Sequence, residues 1–500
     1  MRVYVLWLVL LVLSIYAWKD WYKSLCGLIL LMAVLEHKDM PRTIFDVPGL
    51  NPWNLLFFIV LLAWMFRRRR EQLRWDLPRV PAVLLLLGLG VLLFGFIRLV
   101  ADRQRLIEEA SIAGLVSDYV FNPVKWVVVG LLLFDGCRTR RRLLLGLASI
   151  CALYFFISLQ VIRWVIPSGA LSGSDLSSYT VRMLQREMGY HRNDLSVMLA
   201  GASWALLAML PLIRSMRYRA ALILGGFVIL FAQVLTGGRG GYLAWYGVGL
   251  TLGLVRWRRY LVLAPVIAFL VISLVPSVAN RALLGISENT QTGSEEIDVD
   301  ELTAGRSLIW PRVIDQISES PFIGYGRAAM QRTGLSAWYA ASQGDEDAWI
   351  NHPHNAYLEI LLDCGLVGFL VALALYAYLL AVALSLVRDR HSPVFLAVGG
   401  IALSLILAQL IGSFTGQSLY PREATLGMWC AFGLLLRVSV QRSSALANSR
   451  SRKRTRHTTD PSETDIRTEV ATNTPHSVYS LGATHPAPWV LLPALPRYLQ

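Results

Sequence analysis

Long apolar runs recur along almost the whole chain, and nothing else in the sequence constrains its fold as strongly. They cover Pro52 to Phe66, Val80 to Val100, Pro123 to Phe134, Leu143 to Ile166, Leu195 to Ile213 and Ala220 to Leu235. They continue over Tyr242 to Val255, Tyr260 to Val278, Tyr357 to Val387, Val394 to Phe414 and Ala424 to Leu436, and two shorter runs, Val3 to Trp18 and Leu25 to Leu35, come first. A hydrocarbon core of about 30 Å takes roughly 20 apolar residues per helix. Backbone groups in that core must pair among themselves, which favours helices. With 55% apolar residues, 16% charged residues and a mean hydropathy of +0.50, the sequence predicts an all-α, polytopic membrane bundle. About 12–13 transmembrane helices are expected. The first run lacks a small-residue cleavage site and meets Lys19, Asp20 and Lys23 at once, so it is read as a helix and not as a cleaved signal.

A net charge of +14 suits nucleic acid in principle, but its placement argues against that partner. Arginines gather at Arg67 to Arg70, Arg138 to Arg142, Arg214 to Arg219, Arg256 to Arg259 and Arg388 to Arg390, each time in a short loop. Successive clusters are separated by an even number of runs, the bias expected of cytoplasmic loops. The outward loops are then His37 to Asn51, Ala101 to Asn122, Pro167 to His191, Thr236 to Gly241, Asn280 to His354 and Thr415 to Arg422. Whether one or both N-terminal runs cross decides the side of the N-terminus, and the sequence leaves that open. The five cysteines lie in or beside apolar runs without a CxxC pair, which predicts packing residues and not a metal cluster or disulfide framework.

Three regions follow. Residues 1–437 read as the membrane domain. Within it, residues 280–354 form a large, partly helical periplasmic loop with 11 acidic residues against five arginines. Residues 438–500 read as a disordered basic cytoplasmic tail by composition, able to lie on anionic lipid.

Two features carry chemistry. Arg239 stands among Gly237, Gly238, Gly240 and Gly241, where glycines permit close approach to a ligand. Arg306 follows Gly305, and Arg327 follows the Gly324-Tyr325-Gly326 turn. A guanidinium fork suits phosphate oxygens, although snorkelling or ion pairing explains a lone arginine equally well. The second feature is His352-Pro353-His354-Asn355-Ala356-Tyr357, where the loop re-enters the membrane. A histidine here suits a general base, or simply an interfacial position beside a helix that Asn355 caps.

Taken together these segments resemble the O-antigen ligase/polymerase superfamily. His354-Asn355, then Gly365 and Gly368, is similar to the family's His-Asn-x9-Gly-x-x-Gly pattern. Gly305-Arg306-Ser307-Leu308-Ile309-Trp310 resembles its loop Gly-Arg segment, Pro321-Phe322-Ile323-Gly324-Tyr325-Gly326 its Pro-x-x-Gly-x-Gly turn, and Gly238-Arg239-Gly240 its arginine turn. The resemblance implies a GT-C-type glycosyltransferase of the bacterial inner membrane with its active site facing the periplasm. It implies a polyprenyl-pyrophosphate-linked glycan donor, a glycolipid, glycan or protein acceptor, and neither metal nor cofactor. His354 would activate the acceptor hydroxyl, and Arg239 and Arg306 would hold the pyrophosphate. Arg327, Asn355 and Tyr357 would contact substrate. Gly365 and Gly368, roughly 16 Å or more along a continuous helix from His354, are expected to serve helix packing. Polymerisation of a polysaccharide, protein O-glycosylation and transport of the lipid-linked sugar remain open readings.

Overall fold

The computed structural model describes residues 2–35, 37–41, 43–44, 47, 49–107, 111–165, 183–258, 306–343, 349–389, 392–416 and 419–458. The run expected at Tyr260 to Val278, the acidic stretch before Arg306 and the tail beyond Thr458 lie outside them. Among the described residues the regular structure is helical, with one isolated bridge between Ile44 and Val47. The N-terminal helices are α1 (Arg2–Leu35), α2 (Pro52–Glu71), α3 (Arg79–Ala101), α4 (Ile112–Val116), α5 (Asn122–Gly136) and α6 (Arg140–Val165). Then come α7 (Arg192–Ala208), α8 (Met216–Leu235), α9 (Arg239–Val255), α10 (Arg306–Glu319), α11 (Ala329–Arg332) and α12 (Leu335–Gln343). The last three are α13 (Ala356–Val387), α14 (Pro393–Gly412) and α15 (Leu426–Thr458).

Nine helices among the described residues are long and apolar enough to cross a membrane, so the polytopic helical fold stands. The number is below the 12–13 runs of the sequence because Tyr260 to Val278 lies outside the described residues, the two N-terminal runs count as one helix, and α2 and α9 fall short. Asn51 and Pro52 start α2 well, the Asn51 Oδ1 accepting from Asn54 N at 2.8 Å, but its last turn is given over to arginines. α9 has only 17 residues.

The two N-terminal runs form α1, whose backbone leaves the helical region at Asp20 (φ −147°, ψ 84°). Ser24 Oγ donates to the Leu13 carbonyl at 2.9 Å, although in an unbroken helix those residues stand about 16 Å apart. The chain therefore folds back at Asp20. Asp20 lies 3.5 Å from Arg142, and Tyr22 OH donates to the Arg142 carbonyl at 2.7 Å. The fold-back is thus on the face of Arg142, and both ends of α1 lie on the opposite face. The two N-terminal runs are thus two packed segments and not one continuous span.

α13 corrects the expectation for Gly365. At 32 residues it would measure about 48 Å, too long for one crossing. Its backbone breaks at Gly365 (φ 61°), where a Cβ would overlap the Phe322 backbone. The Pro321–Gly326 turn occupies the break. Tyr325 N and Gly326 N donate to the carbonyls of Leu362 and Asp363 at 2.8 and 2.6 Å, and Leu366 N and Val367 N donate to those of Pro321 and Phe322 at 2.7 and 3.1 Å. Four backbone groups freed by the break find partners in the turn, as burial demands. Gly365 therefore ends one helix and starts another.

α14 is central, with 72% of its apolar window buried against 17% for α3. Small residues let its neighbours close in: a Cβ on Gly201 of α7 would meet Ala408 and Ser404, and one on Gly399 would meet Ala383 and Leu386 of α13. The chain divides into two compact units, Met1–Arg437 and Val438–Gln500. The helical backbone of α15 runs to Thr458, so the tail expected to be disordered from Val438 begins as helix, consistent with its Ala, Arg and Lys content.

Candidate functional site

The site is assembled where four helices begin. The first is α9. Its Gly238 N-cap carbonyl accepts from Ser196 Oγ of α7 at 3.0 Å. A Cβ on Gly240 would overlap Thr415 Oγ1, and one on Gly241 would overlap Ser196. The glycines thus let the helix start wedge between α7 and the Thr415 loop, with Arg239 as its first residue.

α10 begins at Arg306, whose Nη2 donates to the Thr415 carbonyl at 2.8 Å. Thr415 therefore touches both arginine segments. Arg306 Nε is buried with no hydrogen-bond partner among the described residues. Burial, and then the charge of Arg239, depress the Arg306 pKa. No described carboxylate pairs with either guanidinium. Two cations close enough to act on each other, with no carboxylate partner among the described residues, make a place for an anion.

The third start is α13. Asn355 Oδ1 accepts from Tyr357 N and Leu358 N at 3.0 and 3.3 Å, and Ala356 N donates to the Ser413 carbonyl at 2.9 Å. Just ahead, His354 takes a left-handed backbone (φ 53°), and its ring lies 4.4 Å from that of His352, edge to face. Burial, followed by Arg306 and His191, pushes the His354 pKa down to about 4. Burial, His354, Arg422 and His191 push His352 to about 3. Both imidazoles are neutral near pH 7 and so have a lone pair. That of His352 Nδ1 already accepts the His354 backbone N–H at 3.3 Å.

The fourth start, α7, was not singled out from sequence. His191 caps it through Nδ1, accepting from Asn193 N at 3.3 Å, and burial lowers its pKa. Arg422 forms an ion pair with Asp194 of the same helix. A short His-Arg-Asn-Asp string opening an apolar run was the available signal, and its meaning depends on which loops meet it. Pro421 and Tyr420, beside Arg422, line an apolar cavity of about 300 Å³ between α3, α5, α13 and α15.

His354, Arg239 and Arg306 therefore come together. The other three expected contacts have protein partners. Asn355 is the cap just described, and Tyr357 OH donates to the Leu410 carbonyl at 2.7 Å. Arg327 belongs to a different cluster: it is buried, pairs with Asp363 at 2.7 Å and lies 3.5 Å from the Tyr420 ring centroid. Its guanidinium locks the Gly324–Gly326 turn onto α13.

Residues 220–373 match the sequence model of the O-antigen ligase family, a stretch that contains Arg239, Arg306 and His354. The chain is also similar to a ComP-specific O-oligosaccharyltransferase of Acinetobacter baylyi, 25% identical over 181 residues. That match spans 34% of this chain and 31% of the relative. Both findings support the O-antigen ligase-like superfamily and glycosyl transfer in general.

Proposed function

We propose that this chain transfers a glycan from a polyprenyl-pyrophosphate donor to an acceptor hydroxyl at the periplasmic face of the inner membrane. The observation that carries the reading is the set of four helix N-termini meeting around Arg239 and Arg306. Helix N-termini favour anions, and so does a guanidinium pair without described counter-charge. A pyrophosphate supplies two adjacent anionic centres that such a site can hold as its ester bond breaks, the electrostatic role of preorganised donors. Arginine supplies this charge without a divalent metal. The apolar cavity lined by Tyr420 and Pro421 is a recess suited to part of the isoprenoid chain.

His354 is the base in this reading. It removes the acceptor's proton as the hydroxyl oxygen attacks the anomeric carbon, and polyprenyl pyrophosphate leaves. Its neutral imidazole suits that task, whereas His352 has its Nδ1 lone pair engaged. The arginine bias of the opposite loops supports a periplasmic site and a cytoplasmic end for helix α15.

A protein hydroxyl as acceptor is the second reading, favoured by the similarity to the Acinetobacter O-oligosaccharyltransferase. A transporter of the lipid-linked sugar is less well supported, since it would concentrate charge near the middle of its spans. Deleting the chain from its cell and extracting the lipids tests the donor directly. Accumulation of a polyprenyl-pyrophosphate glycan, with loss of its attached form, is expected. An unchanged lipid-linked pool would sink the proposal.

A further inference from the structure

His354 holds a backbone conformation that a side-chain-bearing residue seldom takes unaided. Among the described residues, only Gln72 and Ala328 share its left-handed φ outside glycine. Such a conformation persists where its surroundings over-determine it. Here the Pro353–His354 peptide is gripped at both of its polar atoms. Its N–H donates to His352 Nδ1 at 3.3 Å. Its carbonyl, that of Pro353, accepts from Trp310 Nε1 at 2.9 Å.

Trp310 comes four residues after Arg306, one turn further along the same face of α10. The indole that fixes the His354 peptide is therefore mounted on the helix that opens with Arg306. Its ring packs against the cluster of Ile309, Val313, Ala329, Met330, Leu335 and Leu362, a task any large apolar side chain performs. The N–H does something more specific.

We propose that Trp310 is a positioning residue, whose indole N–H sets the spacing of the His354 imidazole from the Arg306 guanidinium. The inference rests on the reading of His354 as base and Arg306 as pyrophosphate anchor. Losing the N–H frees the peptide to rotate and shifts the His354 imidazole, while neither functional side chain is itself changed. Misplacement of a reacting group by about 1 Å costs up to about a hundredfold in rate.

The test uses the full chain, purified into lipid nanodiscs. Lipid-linked glycan extracted from cells lacking the chain serves as donor, and membranes of those cells supply the acceptor. Trp310→Phe should lower the rate at saturating donor by about 10- to 100-fold, with the donor KM unchanged within about twofold. The acid limb of its pH profile should also rise from about 4 toward the ordinary 6.5, because His354 leaves its buried place. The groups facing His354, namely Arg306, His191 and His352, are untouched by the substitution. If Trp310→Phe fails to insert, benzothienylalanine at the same position decides, since it exchanges the N–H for sulfur at nearly the same shape. An unchanged maximal rate while His354→Ala is inactive overturns the positioning role and leaves the base intact. Activity retained in His354→Ala removes the base reading itself, and this inference with it.

Discussion

Arginine is used in opposite ways on the two faces of this molecule. On the Arg142 face the half-buried Arg68 and Arg138 and the buried Arg437 each meet a carboxylate among the described residues. Arg68 and Arg138 share Asp135, and Arg437 holds Asp76 through two bonds of 2.5 and 2.8 Å while donating to the Phe134 carbonyl at 2.7 Å. Trp64 and Trp75 flank Arg68. On the His354 face Arg422 and Arg327 are paired in the same manner, but Arg239 and Arg306 have no described carboxylate partner and lie beside one another. Removing a charge from water is costly unless it is paired, so two half-buried cations with no carboxylate among the described residues suit the anion of the proposed donor. The comparison separates arginines that hold the fold from the two proposed to hold a substrate.

The largest effect expected from breaking this arrangement is at His354. Replacing it with Ala should lower transfer by about 10² to 10⁴, the usual loss of a positioned base, with normal insertion and normal donor binding. His352→Ala should cost less, about tenfold, because its ring only supports the His354 peptide. Transfer assayed on equal amounts of inserted protein decides the order. A reversed order would assign the base to His352.

Next comes the contrast between the faces. Arg306→Ala should weaken donor binding and transfer while leaving thermal stability close to the parent, and Lys should restore it only in part because the fork of donors is gone. Arg437→Ala should do the reverse. It strands a buried network and should cost on the order of 2 kcal/mol of stability, with little change in donor KM. Thermal unfolding in nanodiscs and donor titration, run on both variants, test the comparison at once. If Arg306→Ala proves the less stable of the two, its guanidinium is structural.

The pH profile follows from the depressed His354. The catalytic form is the neutral imidazole, so the rate should stay level from about pH 7.5 to about pH 5 and fall as the pH nears about 4. Stability has the same sign. Above pH 6.5 neither folded nor unfolded His354 binds a proton, and below it the unfolded chain binds one that the folded site rejects. Acidification from 6.5 toward about 4 therefore destabilises the fold. A rate that halves near pH 6.5 would show that His354 is solvated in the working enzyme.

Much of the bundle was legible in the sequence because long apolar runs admit few alternatives in a bilayer. Motif order and predicted side single out His354, Arg239 and Arg306 as candidates, and the fold brings them together. What the sequence hid was tertiary. Gly365 looks like a packing glycine in an apolar run, and only the inserted Pro321–Gly326 turn reveals a broken helix. Arg327 follows the same glycine turn that suggested ligand contact, yet its partner Asp363 lies 36 residues away. His191, Asp194, Thr415 and Arg422 gain their meaning from loops that meet in space, a relation that spacing along one chain does not encode.

The smallest effect belongs to Arg67, which tests whether location on the Arg142 face suffices to make an arginine structural. It pairs with Glu71 one turn along α2, and both side chains are well exposed, at 50% and 38%. Exposed pairs of this spacing contribute only about 0.3–0.5 kcal/mol, screened by salt. Arg67→Ala also leaves Arg68, Arg69 and Arg70 in the same loop, so the bias that orients the chain survives. Thermal midpoint, insertion and transfer should all match the parent within error, and added salt should erase any small shift. A clear loss of stability would mean that the exposed rim of this face carries energy that burial alone assigns to Arg68, Arg138 and Arg437. The contrast between the faces would then rest on charge number and not on pairing.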